Sequence, residues 1–129
     1  MVGMVLVSHS PEIAAGTADL VRQMAGEVEV IPIGGTPEGD LGTDPERIQR
    51  SIEAADASEL LVFVDIGSAV MSTEAVLEML DEDRREKTHL VDAPFVEGAF
   101  AAGVMASTGA TARDCLEAAA EARTEPKLG

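Results

Sequence analysis

Two side chains with complementary chemistry each follow an apolar run in this sequence. His9 comes one residue after residues 4–7, and Asp65 directly follows residues 60–64. A carboxylate that accepts a hydrogen bond from the imidazole Nδ1–H fixes the tautomer and leaves Nε2 as a nucleophile. A neutral imidazole held in this way can accept and release a phosphoryl group. The two residues therefore predict a site of phosphoryl transfer.

Several neighbours of this pair carry groups that can hold phosphoryl oxygens. They are the hydroxyl or backbone N–H groups of Ser10, Gly42, Thr43, Gly67 and Ser68. Phosphoryl transfer depends mainly on positioning and charge stabilisation, so few further catalytic groups are needed. A plainer interpretation stays open, in which His9 is a hydrogen-bonded residue of a strand-to-helix turn and Ser68 caps a helix.

An alternation of strand and helix patterns predicts the α/β fold that positions these groups. Four runs have strand character: residues 3–8, 28–33, 60–65 and 88–93. Two of them are continuously apolar in their centres, which is typical of parallel strands buried on both faces. With right-handed crossovers, the pattern favours an open, mostly parallel four-stranded sheet of order 2-1-3-4 with helices on both faces. The loops after strands one and three then flank the crevice in which such folds bind ligands.

Helix starts are predicted from capping residues. Ser10, Pro11 and Glu12 begin the first helix, and the run Thr43-Asp44-Pro45-Glu46 begins the second. Ser can cap a helix, Pro suits the first helical position and Glu suits the first turn. The third helix is predicted to begin at Ser72.

Later segments yield four further expectations. Residues 96–107 are apolar almost all round, so we expect this helix to be covered by the sheet and by a second subunit. The last helix spans residues 111–122, with Cys115 as small core filler. The charged run 81–87 is predicted to be a solvated loop, and His89 beside it to face solvent.

Composition limits the classes of partner. The chain has 129 residues, 46% of them hydrophobic, and 24 acidic against 9 basic residues give a formal charge of −15. Such a surface repels nucleic acid and anionic membranes, and the absence of Trp and Tyr removes most base-stacking platforms. We expect one domain over residues 1–123 and a polar tail over residues 124–129. The charge also predicts adaptation to a cytoplasm of high salt concentration.

Cofactor motifs and export signals are not evident in the sequence. Two histidines and one cysteine lack metal-ligand spacing, and the glycine-rich residues 34–42 match neither a P-loop nor a dinucleotide fingerprint. This stretch is long for a strand-to-helix connection and is interpreted as a binding loop. A single cysteine, no signal peptide and no apolar run of membrane length together predict a cytoplasmic protein.

Four segments, taken together, resemble a known family. They resemble the phosphotransferase subunit of PTS-dependent dihydroxyacetone kinase, whose first domain is similar to the mannose-type enzyme IIA. The similarity runs from about residue 3 to residue 115 in the same order and spacing. The segments are Met4-Val5-Leu6-Val7-Ser8-His9-Ser10, Leu41-Gly42-Thr43-Asp44, Val64-Asp65-Ile66-Gly67-Ser68-Ala69 and Ala93-Pro94-Phe95-Val96-Glu97-Gly98.

The resemblance implies a phosphohistidine carrier with the mannose-type enzyme IIA fold. It implies that His9 takes a phosphoryl group from the phosphocarrier HPr and passes it to ADP on the nucleotide-binding subunit of dihydroxyacetone kinase. This would make the chain a component of a phosphoenolpyruvate–glycerone phosphotransferase. It also implies that Asp65 orients His9, that the protein is a homodimer, and that it holds no cofactor beyond the phosphoryl group. Gly42, Thr43, Gly67 and Ser68 match loops around the family's site.

Two alternatives stay open. One is an enzyme IIA component of a mannose-family sugar transporter, although Ile66-Gly67-Ser68-Ala69 resembles the kinase subunit more. The other is a non-enzymatic flavodoxin-like or receiver-like binding module. The lack of Trp and Tyr speaks against a flavin site, and His9 stands where a receiver needs an acidic pair.

Overall fold

A single sheet of four parallel strands forms the centre of the protein, which a computed structural model describes over residues 1–129. The strands are β1 (Val2–Ser8), β2 (Val30–Gly34), β3 (Glu59–Val64) and β4 (Thr88–Leu90). They lie in the order β2-β1-β3-β4, and every pairing is parallel. The predicted fold class and strand order are confirmed. No helix of the structure combines the length and the apolar character that crossing a membrane requires.

The strand ends differ from the predicted ones by up to three residues. β2 begins two residues late because the Val28 N–H donates to the Ala25 carbonyl, 3.0 Å away, in the turn that ends the first helix. β4 ends at Leu90, and its ladder with β3 continues only as far as the bond from Val91 N–H to Val62 O, 2.9 Å. The chain then turns through Asp92 toward the next helix.

The protein has six helices, and all except the short fourth one contribute residues to the cores on the two faces of the sheet. They are α1 (Pro11–Met24), α2 (Pro45–Ala54), α3 (Ser68–Met79), α4 (Glu82–Glu86), α5 (Phe95–Ser107) and α6 (Ala112–Glu121). Alternate strand residues point to opposite faces, so Met4 and Leu6 share a core with α1, α5 and α6, whereas Val5 and Val7 share one with α2 and α3. Cys115 is fully buried in the first core, as the sequence predicts.

The predicted starts of α1 and α2 are confirmed, and that of α3 is wrong. Ser10 and Asp44 cap α1 and α2 through their side chains. α3 begins at Ser68, one turn before the predicted Ser72. The residue before it, Gly67, has φ +41°, a conformation that L side chains rarely adopt, and no side chain caps the helix. Because α3 starts earlier than predicted, Ser68 lies at the N-terminus of the helix, close to the carboxyl end of β3.

The charged run is not the predicted loop, because it contains the short helix α4. Asp81 caps it by accepting from the Arg84 N–H, 3.0 Å. The Arg84 guanidinium donates to the carbonyls of Ile52, Ala55 and Ala57 at 3.1, 2.8 and 3.0 Å. These carbonyls lie at and beyond the end of α2, where a helix leaves acceptors without partners. Arg84 therefore fixes the turn that leads from α2 into β3.

His89 is half-buried rather than facing solvent as predicted. Its Nε2 lies 2.9 Å from Glu59 Oε2. Pairing of β4 with β3 places His89 opposite Leu61, two residues along from Glu59. Local sequence does not reveal this contact, because the two residues are thirty positions apart.

α5 is covered on the side that faces the sheet. Gly103 lies so close to α1 that a Cβ atom built there would stand 2.5 Å from Val21 Cγ1. On its outer side α5 exposes Val96, Phe100 and Val104 within the single chain. The predicted cover by a second subunit stays a prediction.

Candidate functional site

The carboxyl ends of β1 and β3 bring His9 and Asp65 together. Val7 and Val64 are register partners in neighbouring parallel strands, so the residues that follow them emerge at the same edge of the sheet. His9 Nδ1 lies 2.9 Å from Asp65 Oδ1, and the two side chains are 25% and 15% exposed. An ionised carboxylate only accepts hydrogen bonds, so Nδ1 carries the proton and Nε2 presents its lone pair.

Asp65 is held by four hydrogen-bond donors. Its Oδ2 accepts from Ser8 Oγ–H at 2.7 Å and from the His9 backbone N–H at 3.0 Å. Its Oδ1 accepts from the His9 ring and from the Ile66 N–H, the latter at 2.7 Å. Burial raises the pKa of Asp65, but the hydrogen bonds from Ser8, His9 and Ile66 outweigh it and lower the pKa below its ordinary value. Asp65 therefore stays ionised at neutral pH, in hydrogen-bond contact with the His9 ring.

Ser8 is a site residue that the sequence analysis did not single out. It is fully buried, donates to Asp65 and accepts the Ser10 N–H at 3.0 Å. It thus connects the carboxylate to the first turn of α1. The sequence does carry a signal for this role, because Ser8 is a hydroxyl residue at the end of an otherwise apolar strand. A buried polar atom there needs a hydrogen-bond partner.

Ser68 lies next to the outer nitrogen of the His9 ring. Its Oγ is 2.6 Å from His9 Nε2, and because Nδ1 holds the ring proton, the Ser68 hydroxyl is the donor. Ser68 is exposed and is the first residue of α3. The backbone N–H groups of Gly67 and Ser68 donate no hydrogen bond within the chain, as is usual at a helix N-terminus. The start of α3 therefore has one hydroxyl in contact with Nε2 and two neighbouring backbone N–H groups without an acceptor in the chain.

The other predicted phosphoryl-binding residues are engaged within the fold. The Gly42 N–H donates to the His9 carbonyl at 2.9 Å, so this group holds the His9 backbone and is not free for a phosphoryl oxygen. The Thr43 hydroxyl pairs with Ser72 Oγ at 2.9 Å. Ser10 Oγ accepts from the Ile13 N–H at 3.3 Å as the cap of α1. These contacts position the loop around His9.

Asp65 should make the free energy of unfolding depend on pH in acid. The pKa of Asp65 is lower in the folded protein than the ordinary aspartate pKa of about 3.9. The ionised carboxylate therefore adds stability to the folded protein above that pH. This stability is lost as the pH falls through the pKa of the folded protein. We expect Asp65→Asn to lose less stability than the wild-type protein between about pH 5 and pH 3. Urea unfolding across this range measures the difference, and parallel curves would remove Asp65 from the pH dependence.

No group of three or more His, Cys, Asp or Glu side chains in the structure is arranged to hold a metal ion. The arrangement consists of the His9 imidazole, the half-buried Asp65 carboxylate on its Nδ1 side and the Ser68 hydroxyl on its Nε2 side, which suits an imidazole that acts as a nucleophile.

Comparison with protein families gives a match over most of the chain. A family model described as the PTS system fructose IIA component, EIIA-man, matches residues 3–116. This range contains all of the sheet except Val2, and it contains both His9 and Asp65.

Two curated relatives are similar over most of both chains. The phosphoryl donor subunit DhaM of PEP-dependent dihydroxyacetone kinase 2 from Listeria innocua is 46% identical over 106 residues, which are 81% of this chain and 85% of the relative. The phosphotransferase subunit DhaM of the PTS-dependent dihydroxyacetone kinase from Lactococcus lactis is 40% identical over 109 residues, 84% of this chain and 85% of the relative.

Two solved structures have the same architecture. A crystal structure of a protein of unknown function has a TM-score of 0.90 and 41% sequence identity, covering 99% of this chain and 98% of the other. The phosphotransferase system component EIIA from Streptococcus agalactiae has a TM-score of 0.71 and 16% identity, covering 100% and 97%. At that identity the second comparison supports the fold alone.

Proposed function

This chain belongs to the PTS fructose IIA component family, and we propose that it is a phosphoryl donor subunit that carries a phosphoryl group on His9 Nε2. The observation that supports this most directly is the 2.9 Å contact of Nδ1 with the ionised Asp65, which leaves Nε2 as the nucleophile. The relatives from Listeria and Lactococcus are named as subunits of dihydroxyacetone kinase, in agreement with this role.

In the loading step, the Nε2 lone pair attacks phosphorus on the phosphohistidine of HPr. The new N–P bond forms as the donor N–P bond breaks, and its electron pair returns to the donor imidazole. The Nδ1 proton stays between His9 and Asp65, whose negative charge stabilises the positive charge that develops on the ring. The Ser68 hydroxyl leaves Nε2 and donates to a phosphoryl oxygen, together with the free N–H groups at the start of α3.

In the unloading step, the phosphoryl group passes to ADP on the nucleotide-binding subunit of dihydroxyacetone kinase. An oxygen of the β-phosphate forms the new P–O bond while the bond to His9 Nε2 breaks, and the imidazole returns to its neutral state. The protein thereby acts as a component of a phosphoenolpyruvate–glycerone phosphotransferase. The phosphoryl group on His9 is the only group that this subunit carries.

We also propose a cytoplasmic homodimer formed through α1 and α5. The outer side of α5 exposes Val96, Phe100 and Val104, and α1, which packs against it, exposes Ile13 and Leu20. Several exposed large apolar side chains on two helices that pack together favour association through them. A second copy is the occupant that the family resemblance implies.

The proposed function is tested by following labelled phosphate through the whole sequence of reactions. Wild-type protein is loaded with enzyme I, HPr and labelled phosphoenolpyruvate, and then mixed with the other kinase subunits, ADP and dihydroxyacetone. We expect the label to leave the protein and appear in dihydroxyacetone phosphate. Label that stays on the protein in this mixture, but passes to a sugar in a parallel mixture with a mannose-type transporter, would instead identify the protein as a transporter component.

The charge of −15 leads us to propose that the protein is adapted to high salt. Repulsion among exposed carboxylates acts over about 10 Å at 0.1 M salt but over only about 3 Å at 1 M. We expect the thermal midpoint to rise by about 4 °C between these KCl concentrations, the shift that a gain of about 1 kcal/mol produces in a domain of this size. A midpoint that does not change with KCl would count against the proposal.

A further inference from the structure

Ser68, His9 and Asp65 form a continuous chain of hydrogen bonds that begins at a hydroxyl group. Ser68 Oγ lies 2.6 Å from His9 Nε2, and His9 Nδ1 lies 2.9 Å from Asp65 Oδ1. Because the ionised carboxylate keeps the ring proton on Nδ1, Nε2 can act as a base toward the Ser68 hydroxyl. This relation of serine, histidine and aspartate activates a serine for attack on an acyl group. It is recognised by its geometry and not by the order of the residues in the sequence.

Ser68 stands where a substrate can reach it. It is exposed and begins α3 after a short turn that follows β3. Gly67 in this turn has φ +41°, and a Cβ atom built on it would meet no atom within 4 Å, so the space beside the serine is open. A sharp turn from a strand into a helix, with a serine exposed on it, is also the setting of the nucleophile in one large class of hydrolases.

Two backbone N–H groups at Ser68 have no acceptor in the chain. The N–H groups of Gly67 and Ser68 donate no hydrogen bond, whereas the N–H of Ala69 donates to the Ile66 carbonyl at 3.0 Å. The oxygen of a carbonyl group becomes negative when its carbon is attacked, and N–H donors stabilise that charge. In serine proteases the N–H of the nucleophilic serine is itself one of these donors. The Gly67 and Ser68 N–H groups are available for the same role.

We infer that the unphosphorylated protein has a second activity, in which Ser68 accepts a short acyl group from an uncharged carboxylic ester. Ser68 Oγ bonds to the carbonyl carbon while its proton passes to His9 Nε2. The bond to the alcohol oxygen then breaks, and Nε2 returns the proton to that oxygen. A water molecule, which gives a proton to the same Nε2, next attacks the acyl carbon; the acid leaves and Ser68 Oγ regains its proton.

The surroundings of Ser68 select the class of ester. Ser68 and the preceding Ile66 and Gly67 are exposed, so the site is an open surface that suits a short acyl chain. The formal charge of −15 disfavours the approach of an anionic substrate and favours an uncharged one.

Acyl transfer and phosphoryl transfer exclude each other in one molecule. A phosphoryl group on His9 Nε2 occupies the lone pair that accepts the Ser68 proton. Loading with enzyme I, HPr and phosphoenolpyruvate should therefore abolish acylation of the loaded molecules. This expectation, unlike the rest of the inference, rests on the proposed function.

An alkyl fluorophosphonate tests the inference, because it phosphonylates serines that a neighbouring base activates. Ser68 Oγ displaces fluoride from phosphorus, and its proton passes to His9 Nε2. We expect peptide mass spectrometry to locate an acid-stable adduct on Ser68 of the wild-type protein and no adduct in Ser68→Ala. Ser58→Ala is the matched control, since Ser58 is also exposed but its Oγ contacts the Met1 carbonyl and no imidazole. This control should be labelled like the wild-type protein.

Asp65→Asn distinguishes an activated serine from one that is merely exposed. Loss of the carboxylate that orients the histidine should slow formation of the adduct by about 10²–10⁴-fold. With p-nitrophenyl acetate, a short uncharged ester, acid-quenched wild-type protein should carry an acetyl group on Ser68. Asp65→Asn should accumulate this acetyl group correspondingly more slowly.

Different failures overturn different claims. A wild-type protein without an adduct on Ser68, or with the adduct on His9 instead, would overturn the inference and leave the proposed function in place. Labelling of Asp65→Asn at the wild-type rate would overturn it as well. So would an adduct that forms equally fast after His9 has been loaded with a phosphoryl group. Formation of the Ser68 adduct in a protein that phosphorylated HPr cannot load would overturn the proposed function and leave the second activity in place.

Discussion

His9→Ala should carry no phosphoryl label after incubation with enzyme I, HPr and phosphoenolpyruvate, whereas the wild-type protein is labelled. His9 is the only histidine at the edge where β1 and β3 end, since His89 lies beside Glu59 at the start of β3, so removing the imidazole removes the acceptor rather than slowing it. The fold should persist, because the His9 side chain is at the surface and no core cluster includes it. The measurement is acid-labile, alkali-stable label per protein chain.

The chain provides its own control for this experiment. His89 is the other histidine, and like His9 its ring contacts a carboxylate at 2.9 Å. It pairs with Glu59 at the start of β3, away from the edge that carries His9. His89→Gln should be labelled like the wild-type protein. Label that persists in His9→Ala, or disappears in His89→Gln, would refute the assignment of the acceptor.

Asp65→Asn should slow phosphoryl transfer from HPr about 100-fold, at the upper end of what loss of a residue that orients a histidine costs. The amide removes the negative charge that stabilises the ring during transfer. An amide also has one acceptor atom, whereas Asp65 now accepts from the Ser8 hydroxyl, the Ile66 N–H and two groups of His9. In some molecules of the variant, His9 Nδ1 will therefore lack its hydrogen-bond acceptor. Because docking is untouched, the effect should lie in kcat rather than in KM.

Asp92→Asn is the matched control for Asp65→Asn. Asp92 also follows a strand at the same edge of the sheet, but its side chain is 91% exposed and contacts Arg123 rather than a site residue. The phosphoryl-transfer rate of Asp92→Asn, measured by rapid quench with phosphorylated HPr, should equal that of the wild-type protein. An unchanged transfer rate in Asp65→Asn would remove Asp65 from the mechanism. An equal loss of rate in Asp92→Asn would show that the effect comes from the overall charge of the protein.

The juxtaposition of His9 and Asp65 follows from the sequence because it depends on strand order alone. Two apolar runs that are adjacent in a parallel sheet place their following residues at one edge, and the order 2-1-3-4 makes β1 and β3 neighbours. The capping signals of Ser10 and Asp44 were equally local, and both helices begin where these residues indicate. Patterns confined to a few residues were therefore sufficient to predict the strands and helix starts that position the site.

The features that the sequence did not reveal depend on contacts between distant residues. The start of α3 rests on the positive φ of Gly67 rather than on a capping side chain. The Gly42 N–H turned out to be engaged by the His9 carbonyl, and Arg84 by carbonyls of the α2–β3 connection. The contacts of Gly42 and Arg84 both end on a backbone carbonyl whose partner is set by tertiary packing, and residue type does not specify it. The contact of His89 with Glu59 has the same origin.

The position of the phosphoryl group on the imidazole tests the central claim most directly. Phosphorus–proton correlation NMR of the labelled protein distinguishes a phosphoryl group on Nε2 from one on Nδ1. The hydrogen bond that Asp65 accepts from Nδ1 predicts a single Nε2-phosphohistidine at residue 9. A phosphoryl group found on Nδ1, or on any other residue, would show that this carboxylate does not direct the outer nitrogen toward phosphorus.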